Sequence, residues 1–149
     1  GVHDVAVLLT LAGQAPDQIQ AWGHTALMSG VEDDTYLHLG FPGGMKATLH
    51  NSWLWPRVER ELIVVGEKGM LVFEEASSQV ILHHKVVDSS RNHYDGIEEI
   101  LFEGSAQPLL LELGHFLDCC RERRRPLSDG RNGFETVRVL EEASRILQT

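Results

Sequence analysis

The strongest constraint on the fold is a change in the spacing of apolar residues near residue 18. Residues 2–11 carry apolar side chains at helical spacing, and the helix-ending residues Gly13 and Pro16 follow. From Gln18 to about Leu82 apolar and polar residues alternate, with turn signals but no helical segment between the runs. Consecutive strands without crossover helices pair antiparallel. The sequence therefore predicts an antiparallel, open-faced sheet of about six or more strands.

Two more helices are predicted after the strands, at 108–123 and 134–147. Pro108 occupies a favoured first helical position, and the glycine-rich segment 129–133 is interpreted as a turn. Helices packed on one face of an antiparallel sheet make an α+β fold. The predicted strands are 18–28, 36–41, 45–55, 57–65, 70–73 and 79–87, with a short one at 98–102. The predicted apolar faces of the last two helices are Leu109, Leu113, Phe116, Leu117 and Cys120, and Phe134, Val137, Leu140, Ser144 and Leu147.

Composition excludes some classes of partner. The 149 residues include 22 acidic and 13 basic side chains, a formal charge of −9, which argues against nucleic acid. No apolar run approaches the ~20 residues that span a bilayer, so no membrane partner is expected. Cys119 and Cys120 are adjacent and have no third cysteine to pair with, which favours a reducing, cytoplasmic location. A vicinal redox pair is the alternative for these thiols.

Histidines and aromatic residues gather on one predicted face of the sheet. His24, His38 and His50 lie on three successive strands, on the faces opposite the more apolar ones, and Trp22 and Tyr36 share that side. Aromatic and amphipathic side chains are enriched at protein interfaces, so the pattern predicts an oligomer interface. Three imidazoles on one sheet could also ligate zinc, which is the alternative interpretation.

The order and spacing of short motifs along nearly the whole chain resemble one family. The motifs are GVHDVA (1–6), FPGG (41–44), NSWL (51–54) with Pro56, VVGEKGM (64–70), HFLDC (115–119), RPL (125–127), DG (129–130) and VRVLE (137–141). Together they resemble the C-terminal domain of the Gfo/Idh/MocA oxidoreductases, and within it the enzymes that oxidise the 3-hydroxyl of UDP-N-acetylglucosamine-type sugars. The resemblance implies one domain, 1–149, of the glyceraldehyde-3-phosphate dehydrogenase-like C-terminal type.

The resemblance also implies a function. Family members bind NAD or NADP on an N-terminal Rossmann domain, which would precede residue 1 and carry the glycine-rich loop and a catalytic lysine. Their second domain has a helix with an Asp-x-x-x-His motif; His3 matches this histidine and is the expected catalytic base. The aspartate would lie two residues before Gly1, and Ala6 stands where many members have a further aspartate. Asp4, beside His3, is the expected substrate contact.

These observations predict the C-terminal domain of an NAD(P)-dependent sugar or nucleotide-sugar oxidoreductase that forms a homodimer or homotetramer. No cofactor is expected on this fragment, because it lacks a dinucleotide-binding loop. Two alternatives stay open. One is a non-catalytic dimerisation module that uses the sheet, and the other is a small metalloenzyme that uses His24, His38 and His50.

Overall fold

The structure, a computed structural model, describes residues 1–27, 30–84, 86–94, 96–105 and 107–148. Met28 and Lys85, which belong to two predicted strands, lie outside these residues. The helices are α1 (Val2–Ala12), α2 (Pro108–Glu122) and α3 (Gly130–Leu147). The strands are β1 (Gln18–His24), β2 (Asp34–Gly40), β3 (Lys46–Ser52), β4 (Glu61–Gly66), β5 (Gly69–Glu74), β6 (Gln79–His83), β7 (Val86–Val87), β8 (His93–Tyr94) and β9 (Glu98–Glu103).

The first of two compact units comprises residues 1–56 and the chain from His115 onwards. Its sheet has the order β1-β2-β3, with both pairs antiparallel. One face of this sheet, the covered face, buries Leu37, Leu39 and Leu49. The other face, the open face, consists of the residues that alternate with them. Its members are Gln18, Gln20, Trp22, His24, Asp34, Tyr36, His38, Gly40, Lys46, Thr48, His50 and Ser52.

Two helices of this unit bury one side each. In α1 the buried residues Val5, Leu8 and Leu9 follow helical spacing, and Gly13 ends the helix with a left-handed φ of 64°. In α3, which packs against α1 and β1, the buried residues are Thr136, Val139 and Ala143. The same core holds Phe41, which precedes the turn between β2 and β3.

The second unit covers residues 57–114 and contains a four-stranded antiparallel sheet of order β4-β5-β6-β9. A two-residue turn, Glu67 and Lys68, joins β4 to β5, with Gly66 opposite Gly69. The register shifts between Val80 and Ile81, where β6 pairs with β9. Strands β7 and β8 form a separate two-stranded ladder.

The α+β class, the antiparallel pairing and the three helices are confirmed. The strands are divided, however, between sheets of three, four and two strands in the described part of the chain, instead of forming one sheet of six or more. The division falls at residues 53–60, which were predicted to extend two strands. Pro56 lies in this segment, and proline removes a donor that a sheet ladder needs.

Three local predictions were wrong. The segment 129–133 contains the N-cap and first turn of α3, because the Asp129 side chain accepts a hydrogen bond from the Asn132 amide at 2.9 Å. On the predicted apolar side of α3, Phe134 is 65% and Val137 53% exposed, while Leu140 and Leu147 are half-buried. The predicted side of α2 is also exposed, and Cys119 is its buried residue. Helical spacing reveals an apolar stripe, but it does not reveal which element of the protein, if any, packs against that stripe.

Candidate functional site

The first turn of α1 carries the two residues that the resemblance assigns to chemistry. His3 is exposed, and among the described residues it has no hydrogen bond or ion pair. Asp4 is the next residue and therefore projects from a different side of the helix. Burial of Val5, Leu8 and Leu9 fixes the orientation of α1, so the exposed position of His3 is set by the core beneath the helix.

Asp4 connects α1 to the end of β3. Its Oδ2 accepts a hydrogen bond from Asn51 Nδ2 at 3.1 Å. Burial raises the pKa of Asp4, and the hydrogen bond from Asn51 lowers it. Asn51 therefore holds the Asp4 carboxylate against the end of β3.

The strand pairing of β2 and β3 continues for one residue beyond β3. The Trp53 amide donates to the Asp33 carbonyl at 2.8 Å, the next position after the Asp34–Ser52 pair. Asp33 itself is 6% exposed, and its Oδ2 accepts hydrogen bonds from the amides of Ala26 and Leu27 at 2.8 and 2.6 Å. This buried carboxylate holds Ala26 and Leu27 after β1, and the Asp33 carbonyl fixes the position of Trp53.

The open face brings together all five residues that were predicted to form an interface. Trp22, Tyr36 and His50 are opposite one another on three adjacent strands. The rings of Tyr36 and His50 are stacked, with centroids 4.1 Å apart and 4° between their planes. Trp22 meets His38 edge-on at 5.1 Å, and His24 lies opposite Asp34 at the end of the same face. The sequence pattern alone was sufficient to place these side chains on one face.

Hydrogen bonds hold two of these imidazoles in place. His50 Nε2 donates to Asp34 Oδ1 at 2.8 Å, and both side chains are largely shielded from solvent. Hydrogen bonds from His50 and then from Ser52 lower the pKa of Asp34. His38 Nδ1 and Thr48 Oγ1 lie 2.8 Å apart and share a hydrogen bond. The face is thus polar and aromatic, with two of its imidazoles held by hydrogen bonds.

The geometry gives no support to the zinc alternative. His24, His38 and His50 occupy three different positions along the sheet ladder, opposite Asp34, Thr48 and Tyr36 respectively. Within the described ranges no three His, Cys, Asp or Glu side chains are grouped so that they could hold a metal ion.

The residues that the structure describes do not form a dinucleotide site of the Rossmann type. The ladders that the structure describes are all antiparallel, so the described residues contain no βαβ unit with a glycine-rich turn. Gly43 and Gly44 form the turn between β2 and β3, with φ values of 88° and 92°. Gly130 and Gly133 lie in the first turn of α3, whose N-cap position Asp129 already fills.

Comparison with known proteins identifies the fold. Residues 1–72 match the family model described as the GFO/IDH/MocA C-terminal domain. The resemblance to this family is confirmed. No curated protein gave a significant sequence match.

Solved structures extend the likeness to the Gfo/Idh/MocA C-terminal fold over nearly the whole chain. UDP-N-acetylglucosamine 3-dehydrogenase from Acidithiobacillus ferrooxidans is 18% identical with a TM-score of 0.84, over 99% of this chain and 45% of that one. Aldose-aldose oxidoreductase from Caulobacter crescentus, complexed with glycerol, is 20% identical with a TM-score of 0.78, over 99% and 44%. A putative oxidoreductase from Magnetospirillum magnetotacticum MS-1 is 28% identical with a TM-score of 0.73, over 95% and 46%. The chain thus spans less than half the length of these Gfo/Idh/MocA-like structures.

In the described part of the chain, none of the helices is long and apolar enough to cross a membrane.

Both cysteines are free thiols, Cys119 buried and Cys120 exposed. Cys119 Sγ lies 3.5 Å from His115 Nε2, which also accepts the Leu127 amide at 3.2 Å. His115 therefore holds the chain that follows α2.

Sequence reasoning missed two residues that shape this region, Asp33 and Asn51. Asn51 was noticed only as part of a family motif, and the residue it contacts is 47 positions away. Asp33 had a weak signal in the sequence. Acidic residues between two strands are typical of turns, where their side chains accept hydrogen bonds from backbone amides.

Proposed function

We propose that residues 1–149 are the C-terminal, substrate-binding and oligomerisation domain of an NAD(P)-dependent oxidoreductase that acts on a hydroxyl of a sugar or nucleotide-sugar. The observation that carries the proposal is the exposed His3 in the first turn of α1, inside the segment that matches the family model. An imidazole there is free of partners among the described residues and is available to a substrate.

In this proposal His3 is the base. Its imidazole takes the proton of the substrate hydroxyl, the step that histidine performs most often in general acid–base catalysis. Asp4 offers a carboxylate oxygen to another hydroxyl of the sugar, while Asn51 holds that carboxylate against β3. The position of both groups depends on the buried residues of α1.

The cofactor belongs to a part of the protein outside these residues. NAD or NADP would accept the hydride from the carbon that bears the hydroxyl. The described residues do not form a dinucleotide site, and the solved structures that the chain resembles are more than twice its length. We therefore assign cofactor binding to a preceding Rossmann domain, and substrate binding to this chain.

A sugar is the substrate class that the comparisons favour. One similar structure is named a UDP-N-acetylglucosamine 3-dehydrogenase and another an aldose-aldose oxidoreductase. Both names describe oxidation or reduction of a carbohydrate. A cytoplasmic location is part of the same proposal and agrees with two cysteines that remain thiols.

The second role is self-association through the open face, with Trp22, His24, Tyr36, His38 and His50 in the contact. Trp22 is 52% and Tyr36 41% exposed, and grouped exposed aromatic side chains mark an interaction site. Because each copy carries a formal charge of −9, two copies can approach best where acids are few. Asp34 is the only carboxylate on this face, and it is paired with His50. A homodimer, or a homotetramer built from it, follows.

A direct assay tests the proposal. The whole protein is mixed with NAD⁺ or NADP⁺ and with UDP-N-acetylglucosamine, N-acetylglucosamine or glucose, and reduction of the cofactor is followed. We expect reduction that depends on at least one of these sugars. Its complete absence, together with a stable dimer, would favour the non-catalytic module instead, which the open face by itself also supports.

A further inference from the structure

We propose that Trp53 is the surface on which the sugar ring of the substrate stacks. This assignment rests on the proposed function and adds a specific binding residue to it. The indole lies outside the pair that the resemblance suggests, the catalytic His3 and the substrate contact Asp4, and its place follows from the strand register.

The register puts Trp53 on the covered side of the three-stranded sheet. The hydrogen bond from the Trp53 amide to the Asp33 carbonyl extends the β2–β3 ladder by one residue, so strand alternation still applies there. Alternation places Trp53 on the side of Leu49 and Asn51. Asn51 on that side touches Asp4, in the first turn of α1. Trp53 therefore follows immediately beyond the point where β3 meets this turn.

Trp53 is nevertheless almost uncovered. Its exposed fraction is 85%, the highest of the three tryptophans, against 52% for Trp22 and 48% for Trp55. Trp55 behaves differently, since its ring meets His50 edge-on at 5.2 Å and so belongs to the open face. Among the described residues Trp53 has no ring partner of this kind. A large apolar side chain on a backbone that a buried aspartate holds in place is suited to receive a ligand.

The surroundings match a carbohydrate. Binding sites for small molecules combine an aromatic or apolar wall with a few fixed polar groups. Here the wall is the indole of Trp53, and the polar groups are the Asp4 carboxylate and the Asn51 amide that holds it. A pyranose ring presents C–H groups on its face and hydroxyls at its rim, so it can use both. The exposed His3 belongs to the same helical turn as Asp4.

The test uses the whole protein and the sugar from the panel above that gives the highest rate. Trp53→Ala should raise KM for the sugar about tenfold with kcat changed less than about twofold, because stacking contributes to substrate and transition state alike. Trp53→Phe should recover most of that loss. The matched control Phe134→Ala, which removes an exposed aromatic ring of α3, should leave KM unchanged. Thermal melting of Trp53→Ala should equal that of the unmodified protein, because the side chain is exposed.

Two results would overturn the inference and leave the proposed function standing. One is an unchanged KM in Trp53→Ala, and the other is an equal rise in KM in Phe134→Ala. If the unmodified protein reduces neither cofactor with any of the sugars, both the proposed function and this inference are wrong.

Discussion

At the scale of single residues, Asp33 shows how one buried carboxylate can organise several segments. Its side chain accepts the amides of Ala26 and Leu27, its own amide donates to the His24 carbonyl at 2.9 Å, and its carbonyl accepts the Trp53 amide. Buried carboxylates are tolerated when hydrogen bonds replace their hydration. The loop before β2 and the segment after β3 therefore depend on this residue.

Asp33→Ala should lower the free energy of unfolding by about 2–4 kcal/mol, because two amides lose a charged acceptor at a buried position. Asp17→Ala is the matched control, since Asp17 is exposed, and it should stay within about 0.5 kcal/mol of the unmodified chain. Urea denaturation measures both. Equal stabilities for the two variants would contradict the structural role given to Asp33.

The Asp34–His50 pair predicts a pH dependence of known sign. The folded-state pKa of Asp34 lies below its ordinary value of 3.8. The ionised Asp34 therefore stabilises the fold above pH 3.8, and this stabilisation is lost as pH falls through the folded-state pKa. In His50→Phe the pKa of Asp34 should move up toward 3.8. Carboxyl NMR titration measures the change, with Thr48→Val as the control. A pKa that does not respond to His50→Phe would show that another group sets it.

At the scale of elements, the sequence predicted the features that depend on residues close together in the chain. Helix α1 and the strands β1 to β3 were found from spacing alone, because burial of one side leaves a periodic trace in the sequence. The start of α3 was missed, since Asp129 and its glycines resemble a turn until the side chain is seen to cap a helix. Which side of α3 is buried depends on α1 and β1, and that packing has no local signature.

The residues of the candidate site also fall into those that the spacing in the sequence predicted and those that it did not. The open face was predictable, because alternation alone separates Trp22, Tyr36 and His50 from the buried leucines. His3 was found only through the family resemblance. The Asn51–Asp4 contact and the ladder extension to Trp53 depend on how separate segments meet, so spacing could not reveal them.

The cap of α3 gives an element-scale prediction. Asp129→Ala should destabilise the chain by about 1 kcal/mol, since the Asn132 amide loses its acceptor. Asp129→Asn removes the ion pair with Arg125 but keeps a capping oxygen, and should lie close to the unmodified chain. Thermal melting compares the two. If both variants lose the same stability, the ion pair and not the cap is responsible.

At the scale of the whole molecule, we propose the open face as the surface of self-association. The open face combines exposed rings with a single carboxylate, on a chain with 22 acidic residues. Such a surface can meet its copy without bringing like charges together.

Sedimentation at micromolar concentration should show a dimer that Trp22→Glu dissociates. Trp53→Glu should leave the dimer intact, because Trp53 lies on the other side of the sheet; it is the matched control. A monomer at neutral pH, or a dimer indifferent to Trp22→Glu, would place the interface elsewhere or remove it.

The central claim is that His3 is the base of a sugar oxidoreductase, and His3→Asn in the whole protein tests it most directly. Asparagine keeps the size and polarity of the side chain but cannot accept the proton. We expect kcat to fall ~10²–10⁴-fold while the dissociation constant for NAD(P)H is unchanged. An undiminished kcat would contradict the claim.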